Sequence, residues 1–231
     1  MSRNRNCSAF RLAVADSLPV LFGYVPLGIT FGVLFQSLGY AWVYAPLAGI
    51  VIYAGSAQFM AVGLIASGVS LVEAFLATFA LNFRHVFYGL SLWDRFPRAG
   101  PIRWYLIYGL TDETYALIAG KSLPEVCNPE RYYFNLTLLN QCYWVSGCAI
   151  GAGVQSRFNF DSRGFEFTLV ALFLVLLIEQ VKTIDSLKPI IVSILGAISA
   201  FALFDQQFMA AAIGFCVLII GLGYPWETFV D

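Results

Sequence analysis

Arg84 and His85, the latter the chain's only histidine, stand in the apolar run Leu71-Val-Glu-Ala-Phe-Leu-Ala-Thr-Phe-Ala-Leu-Asn-Phe-Arg-His-Val-Phe-Tyr-Gly-Leu-Ser-Leu92. That run is long enough to span a bilayer, for which about 20 residues suffice. A charged side chain at such depth costs about 2.5–3.5 kcal/mol on insertion scales, so it requires a partner, a water-filled cavity or a task. On a continuous helix Asn82, His85 and Gly89 share one face, and Arg84 and Tyr88 share the next. Two readings are open. The stripe either lines a cavity where it meets a ligand or relays protons, or it forms a structural ion pair between helices. His85 suits proton handling because imidazole titrates near neutral pH, and it equally suits a hydrogen-bonded packing role.

Asp112 and Glu113 follow Leu110 and Thr111 in the middle of another apolar block. Adjacent helical residues point about 100° apart, so no more than one of the two is expected to face a cavity. A carboxylate there can pair with Arg84, hold an ammonium group or carry a coupling proton. Asp112 can alternatively cap a short half-helix. Gly55-Ser56-Ala57-Gln58 sets small residues and one amide at depth. An unwound turn would aim its backbone N–H groups, with Ser56 and Gln58, at an anion such as a carboxylate; a tight helix-packing patch is the other reading. Gly28 with Gly32, and Gly147 with Gly151, have GxxxG spacing and are assigned to packing. Glu73 lies near a helix end, within reach of water.

The elements that must position these groups follow from composition. The 231 residues are 59% hydrophobic and 12% charged, about half the charge of a soluble domain. The fold class this implies is an all-α, polytopic integral membrane protein. Apolar blocks fall at 18–37, 43–67, 70–92, 103–119, 134–154, 166–181, 189–204 and 207–224. They do not alternate every second residue as barrel strands do. Loops between them are short, so the chain reads as a single transmembrane domain over residues 1–231, with residues 1–15 as a cytoplasmic tail. The blocks at 18–37, 43–67 and 103–119 carry glycine, proline or polar residues in mid-block, and are expected to be broken where they line a cavity. Making the second block re-entrant gathers Arg95, Arg98, Arg103, Arg157 and Arg163 on the side of the basic tail, in line with the positive-inside rule. That gives seven to eight membrane segments, some discontinuous.

A faint internal repeat accompanies the broken blocks. Ile52-Tyr53 with Ser56 and Gln58 aligns with Ile107-Tyr108 with Thr111 and Glu113, and Asn82 and Gly89 align with Asn140 and Gly147. Other chemistries find little support. A net charge of −1 without a basic cluster excludes a nucleic-acid surface. Five cysteines without CxxC spacing give neither a disulfide framework nor a zinc site. Gly120-Lys-Ser122 lacks the first glycine of a P-loop, where Tyr115 stands, so no ATP site and no cofactor is expected. Glu179, Lys182, Asp185 and Lys188 form a mixed-sign loop without an assigned role.

The chain resembles the AzlC family of branched-chain amino acid exporters. The resemblance is carried by Asp16-Ser-Leu-Pro19, Tyr24-Val-Pro26 and Phe31-Gly32, then Ile52-Tyr-Ala-Gly-Ser-Ala-Gln-Phe59, Arg84-His85, Tyr88-Gly89 and Gly109-Leu-Thr-Asp-Glu113. It covers most of residues 16–120, and the C-terminal third matches only as generic apolar helices. It implies the large subunit of a two-component exporter in the bacterial inner membrane, working with a small AzlD-type membrane subunit on valine, leucine or isoleucine. In that reading Asp112 or Glu113 and His85 handle charge, Arg84 organises the site with Asn82 beside it, and Ser56 and Gln58 contact substrate. The protein is then not an enzyme, and a proton gradient is the expected energy source. An intramembrane enzyme lacks a nucleophile motif or metal-ligand spacing here. A purely structural subunit is the remaining alternative.

Overall fold

The computed structural model describes residues 8–96, 100–121, 123 and 128–158, with helical positions also at 167, 171, 174, 178, 191 and 194–199. The blocks expected at 166–181, 189–204 and 207–224, the mixed-sign loop and the first seven residues of the tail lie outside that description, apart from those helical positions. Every regular element among the described residues is an α-helix: α1 (Ala9–Ser37), α2 (Tyr44–Val51), α3 (Gly55–Ser67), α4 (Leu71–Asn82), α5 (Arg84–Ser91), α6 (Pro101–Tyr108), α7 (Asp112–Ala119) and α8 (Pro129–Phe158). The chain divides into two compact units. One holds Met1–Val62 and Asn82–Leu169, the other Gly63–Leu81 and Val170–Asp231.

The first unit is built on the α1–α8 pair. Close approach is set by the two GxxxG stretches, which interlock. A Cβ on Gly28 would stand 2.8 Å from the Trp144 carbonyl oxygen, and one on Gly147 would stand 2.7 Å from that of Val25. Gly32 and Gly151 lie as close to the opposing backbone at Ala152 and Ile29. Small residues let two backbones touch, which is how helices gain packing energy where lipid supplies no hydrophobic drive. A second core gathers Leu92, Phe96, Leu106, Ile118, Tyr132 and Leu136.

α1 corrects one expectation. Pro19 and Pro26 lie inside it, yet the helix runs unbroken, and it starts well ahead of residue 18. Thr30 Oγ1 donates to the Pro26 carbonyl at 3.0 Å and Ser17 Oγ to that of Val14 at 3.1 Å. Such side-chain back-bonds, with packing on α8, hold helices containing proline at membrane depth. α1 is also the one helix among the described residues long and apolar enough to cross a membrane unaided. α8 is as long, but its buried face carries Thr137, Asn140 and Gln155.

The remaining blocks come as half-helices. The second block splits into α2 and α3 around Tyr53, whose φ of 43° puts a bulky side chain in the left-handed region. The fourth splits into α6 and α7 at Gly109 and Leu110. The third, expected as one helix, is interrupted at Phe83 between α4 and α5. Large apolar side chains face outward, Phe22 being 75% exposed, which suits lipid contact.

In the second unit, α4 opens on a capping box. Ser70 N donates to Glu73 Oε2 at 3.0 Å, and Glu73 N donates back to Ser70 Oγ at 3.3 Å. Glu73 is thus committed to the helix end rather than simply reaching water.

Candidate functional site

The polar groups collect where three half-helices begin. Thr111 caps α7, accepting from Thr114 N at 3.2 Å, so the cap expected of Asp112 falls one residue earlier. Asp112 and Glu113 occupy the first turn, where the positive end of the helix dipole favours carboxylates. α7 is held at its other end too. Arg95 Nη1 donates to the Ile118 carbonyl at 2.7 Å, and Lys121 pairs with Asp16, which also accepts from Tyr132 OH at 2.7 Å.

Arg84 opens α5 and joins the two chain breaks. Its Nη2 stands 2.9 Å from Asp112 Oδ2 and donates to Ser56 Oγ at 3.2 Å. Tyr88, one turn further along α5, donates to Asp112 Oδ1 at 2.9 Å. Both Asp112 oxygens are therefore occupied. Glu113 is different. Its Oε2 accepts from Tyr24 OH at 2.6 Å, a short charge-assisted bond, while the residue itself is exposed. The two neighbouring acids divide, one bound into the scaffold and one open.

Tyr24 roots Glu113 in a buried chain of hydroxyls. The Tyr24 hydroxyl lies 2.7 Å from Thr111 Oγ1, which lies 3.0 Å from Thr114 Oγ1, which in turn accepts from Asn140 Nδ2 at 3.0 Å. Thr114 and Asn140 are fully buried. The paired breaks also touch. The Tyr53 and Tyr108 rings stack obliquely with centroids 6.3 Å apart, and Tyr108 OH donates to the Ile50 carbonyl.

Gln58, in the first turn of α3, is 1% exposed and accepts from Trp144 Nε1 at 2.9 Å. Its Nε2 has no partner among the described residues. An unsatisfied buried donor costs about 1–3 kcal/mol. Arg84 Nε is likewise buried without a partner.

Of the residues singled out from the sequence, Arg84, Ser56 and Asp112 are brought into direct contact, and Glu113 adjoins them. Gln58 is tied to Trp144 rather than to the arginine. His85 and Asn82 make no direct bond to the ion pair among the described residues: His85 Nδ1 bonds the Asn82 carbonyl at 3.1 Å, and its ring meets that of Tyr88 edge-on at 5.6 Å. Sequence reasoning missed Trp144 and Thr114, and gave Tyr24 no role. Trp144 and Tyr24 are camouflaged among the chain's 21 phenylalanines, 12 tyrosines and 5 tryptophans.

Known proteins match the stretch of chain that holds these residues. The profile of the AzlC protein family matches residues 19–157. A branched-chain amino acid transport protein, AzlC of Bacillus subtilis, is 35% identical over 178 residues, 77% of this chain and 70% of that protein. An uncharacterized membrane protein of Helicobacter pylori is 35% identical over 218 residues, covering 93% and 94% of the two chains. The inner membrane protein YgaZ of Escherichia coli is 29% identical over 207 residues, covering 86% and 83%. No solved structure matches the chain.

Proposed function

The chain belongs to the AzlC family of transport-related membrane proteins, and from that premise we propose that it exports branched-chain amino acids of the valine, leucine and isoleucine type across the bacterial inner membrane. The Arg84–Asp112 contact carries this reading. With the bond from Arg84 to Ser56 it ties the break before α3 to the break before α7, and Glu113 stays open beside it. Paired half-helices meeting at polar groups are what transporters use to hold small charged substrates at mid-membrane.

In this account Arg84, Asp112 and Ser56 brace the two breaks, Gln58 faces the substrate's carboxylate, and Glu113 meets its ammonium or a coupling proton. Proton coupling draws support from Tyr24. Its hydroxyl has one hydrogen and two acceptors within 2.7 Å, Glu113 Oε2 and Thr111 Oγ1. An ionised Glu113 takes that hydrogen. A protonated Glu113 donates instead, and Tyr24 turns its own hydrogen to Thr111. The charge on Glu113 is thereby communicated to the buried Thr111–Thr114–Asn140 chain. His85 and Asn82 flank the brace and bond to each other.

The protein acts by alternating access as the large subunit beside a small AzlD-type membrane protein. Seven spans, the α2–α3 block re-entrant and a cytoplasmic N-terminal tail complete the arrangement. The test is efflux of labelled valine, leucine and isoleucine from proteoliposomes holding this chain and its small partner, with and without a pH gradient. Efflux that follows the gradient supports the reading. Silence with every amino acid would leave a structural subunit, and consumption of a lipid without transport would indicate an enzyme.

A further inference from the structure

We propose that Trp144 is a positioning residue that locks the Gln58 side chain with its NH2 group towards the substrate's carboxylate, and so sets which end of the amino acid enters the α3 side of the site. The inference rests on the amino-acid reading above and adds a polarity to it.

An indole N–H is a donor and nothing else. The atom of Gln58 that Trp144 Nε1 meets at 2.9 Å is therefore the amide oxygen, and the two amide hydrogens face elsewhere. Trp144 is itself fixed. It is 3% exposed, its ring lies 5.6 Å edge-on to Tyr24 and 6.3 Å from both Phe31 and Phe59, and a Cβ on Gly55 would stand 3.2 Å from its Cη2. With the ring held, the amide cannot flip without losing its bond.

Gly55 and Gln58 are three residues apart on one face of α3, and Trp144 touches both. Gln58 belongs to the first turn of α3, where helix N–H groups lack partners within the helix. Its Nε2 is a buried donor without a partner among the described residues. Donors gathered at a helix start recognise an acceptor, so this pole takes a carboxylate and repels an ammonium. The acceptor for the ammonium is Glu113. Trp144 and Tyr24 link the two, since Trp144 packs on Tyr24 and Tyr24 donates to Glu113. A single aromatic pair orients a donor and an acceptor.

The test uses the full chain with its small partner in proteoliposomes. It measures valine efflux kinetics and competition by isobutylamine, which is valine without its carboxylate. Gln58→Glu keeps an acceptor for Trp144 and replaces the free NH2 by oxygen. The expected result is a KM for valine raised about tenfold or more, with isobutylamine competition little changed. Trp144→Phe is expected to raise the KM in the same direction, and to add nothing in a Gln58→Ala background. A packing role alone would lower efflux without changing how isobutylamine competes against valine. Should Trp144→Phe fail to accumulate in membranes, the two Gln58 variants decide. Unchanged valine preference over isobutylamine in Gln58→Glu would overturn the proposal while leaving valine export intact. Absence of valine efflux by the wild type would instead overturn the reading on which it rests.

Discussion

Arg84 Nη2 stands 2.9 Å from Asp112 Oδ2, and the two residues open different half-helices, α5 and α7. The same nitrogen reaches Ser56 at the start of α3. One guanidinium therefore gathers three helix starts. Their side chains are 23% and 34% exposed, so the pair is less a source of stability than a fixed geometry, because partly solvated pairs contribute little.

That geometry predicts a non-additive pair. Arg84→Ala and Asp112→Asn should each lower valine efflux at least about tenfold, and the double variant should be no worse than either alone. Arg84→Lys should rescue at most in part, since the lysine ammonium ends a shorter side chain than the guanidinium nitrogen that makes both contacts. Efflux rates normalised to membrane yield check this; additive losses would contradict it.

His85 is predicted to be the tolerant member of the central cluster. Its imidazole bonds locally, to the Asn82 carbonyl. His85→Gln should keep efflux within about threefold of wild type, because an amide can reproduce one hydrogen bond of modest net worth. A loss as deep as that of Asp112→Asn would return proton handling to His85.

The α1–α8 seam predicts a contrast along one helix. A Cβ on Gly151 meets Ile29 backbone within 2.8 Å, whereas one on Gly153 meets nothing within 4 Å. Gly151→Ala should destabilise by about 1–3 kcal/mol or prevent folding, as overpacking does. Gly153→Ala should be neutral or slightly stabilising through helix propensity. Thermal melting in detergent, followed by size-exclusion elution, separates the two.

These features were unequally legible in the sequence. The break before α7 could be read because Gly109 and the polar run Thr111-Asp-Glu113 interrupt an apolar block. The break before α3 could be read from Tyr53-Ala-Gly-Ser-Ala-Gln58. The interruption at Phe83 could not, because that residue keeps helical dihedrals, φ −56° and ψ −31°, and no local residue type marks it. Prolines in α1 pointed to a break that α8 packing and Ser/Thr back-bonds prevent. Asp112 as a partner for Arg84 was among the sequence expectations, since a charge at depth needs an opposite one. The roles of Tyr24 and Trp144 come from contacts 89 and 86 residues away in sequence, which no local pattern encodes.

Glu113 carries the central claim, being the open acid beside a satisfied one. The most direct measurement is labelled-valine efflux from proteoliposomes holding the full chain and its small partner, for wild type and Glu113→Gln, with and without a pH gradient. The account predicts that the gradient accelerates wild-type efflux several-fold and does not accelerate efflux by Glu113→Gln. Equal acceleration of both proteins by the gradient would contradict it.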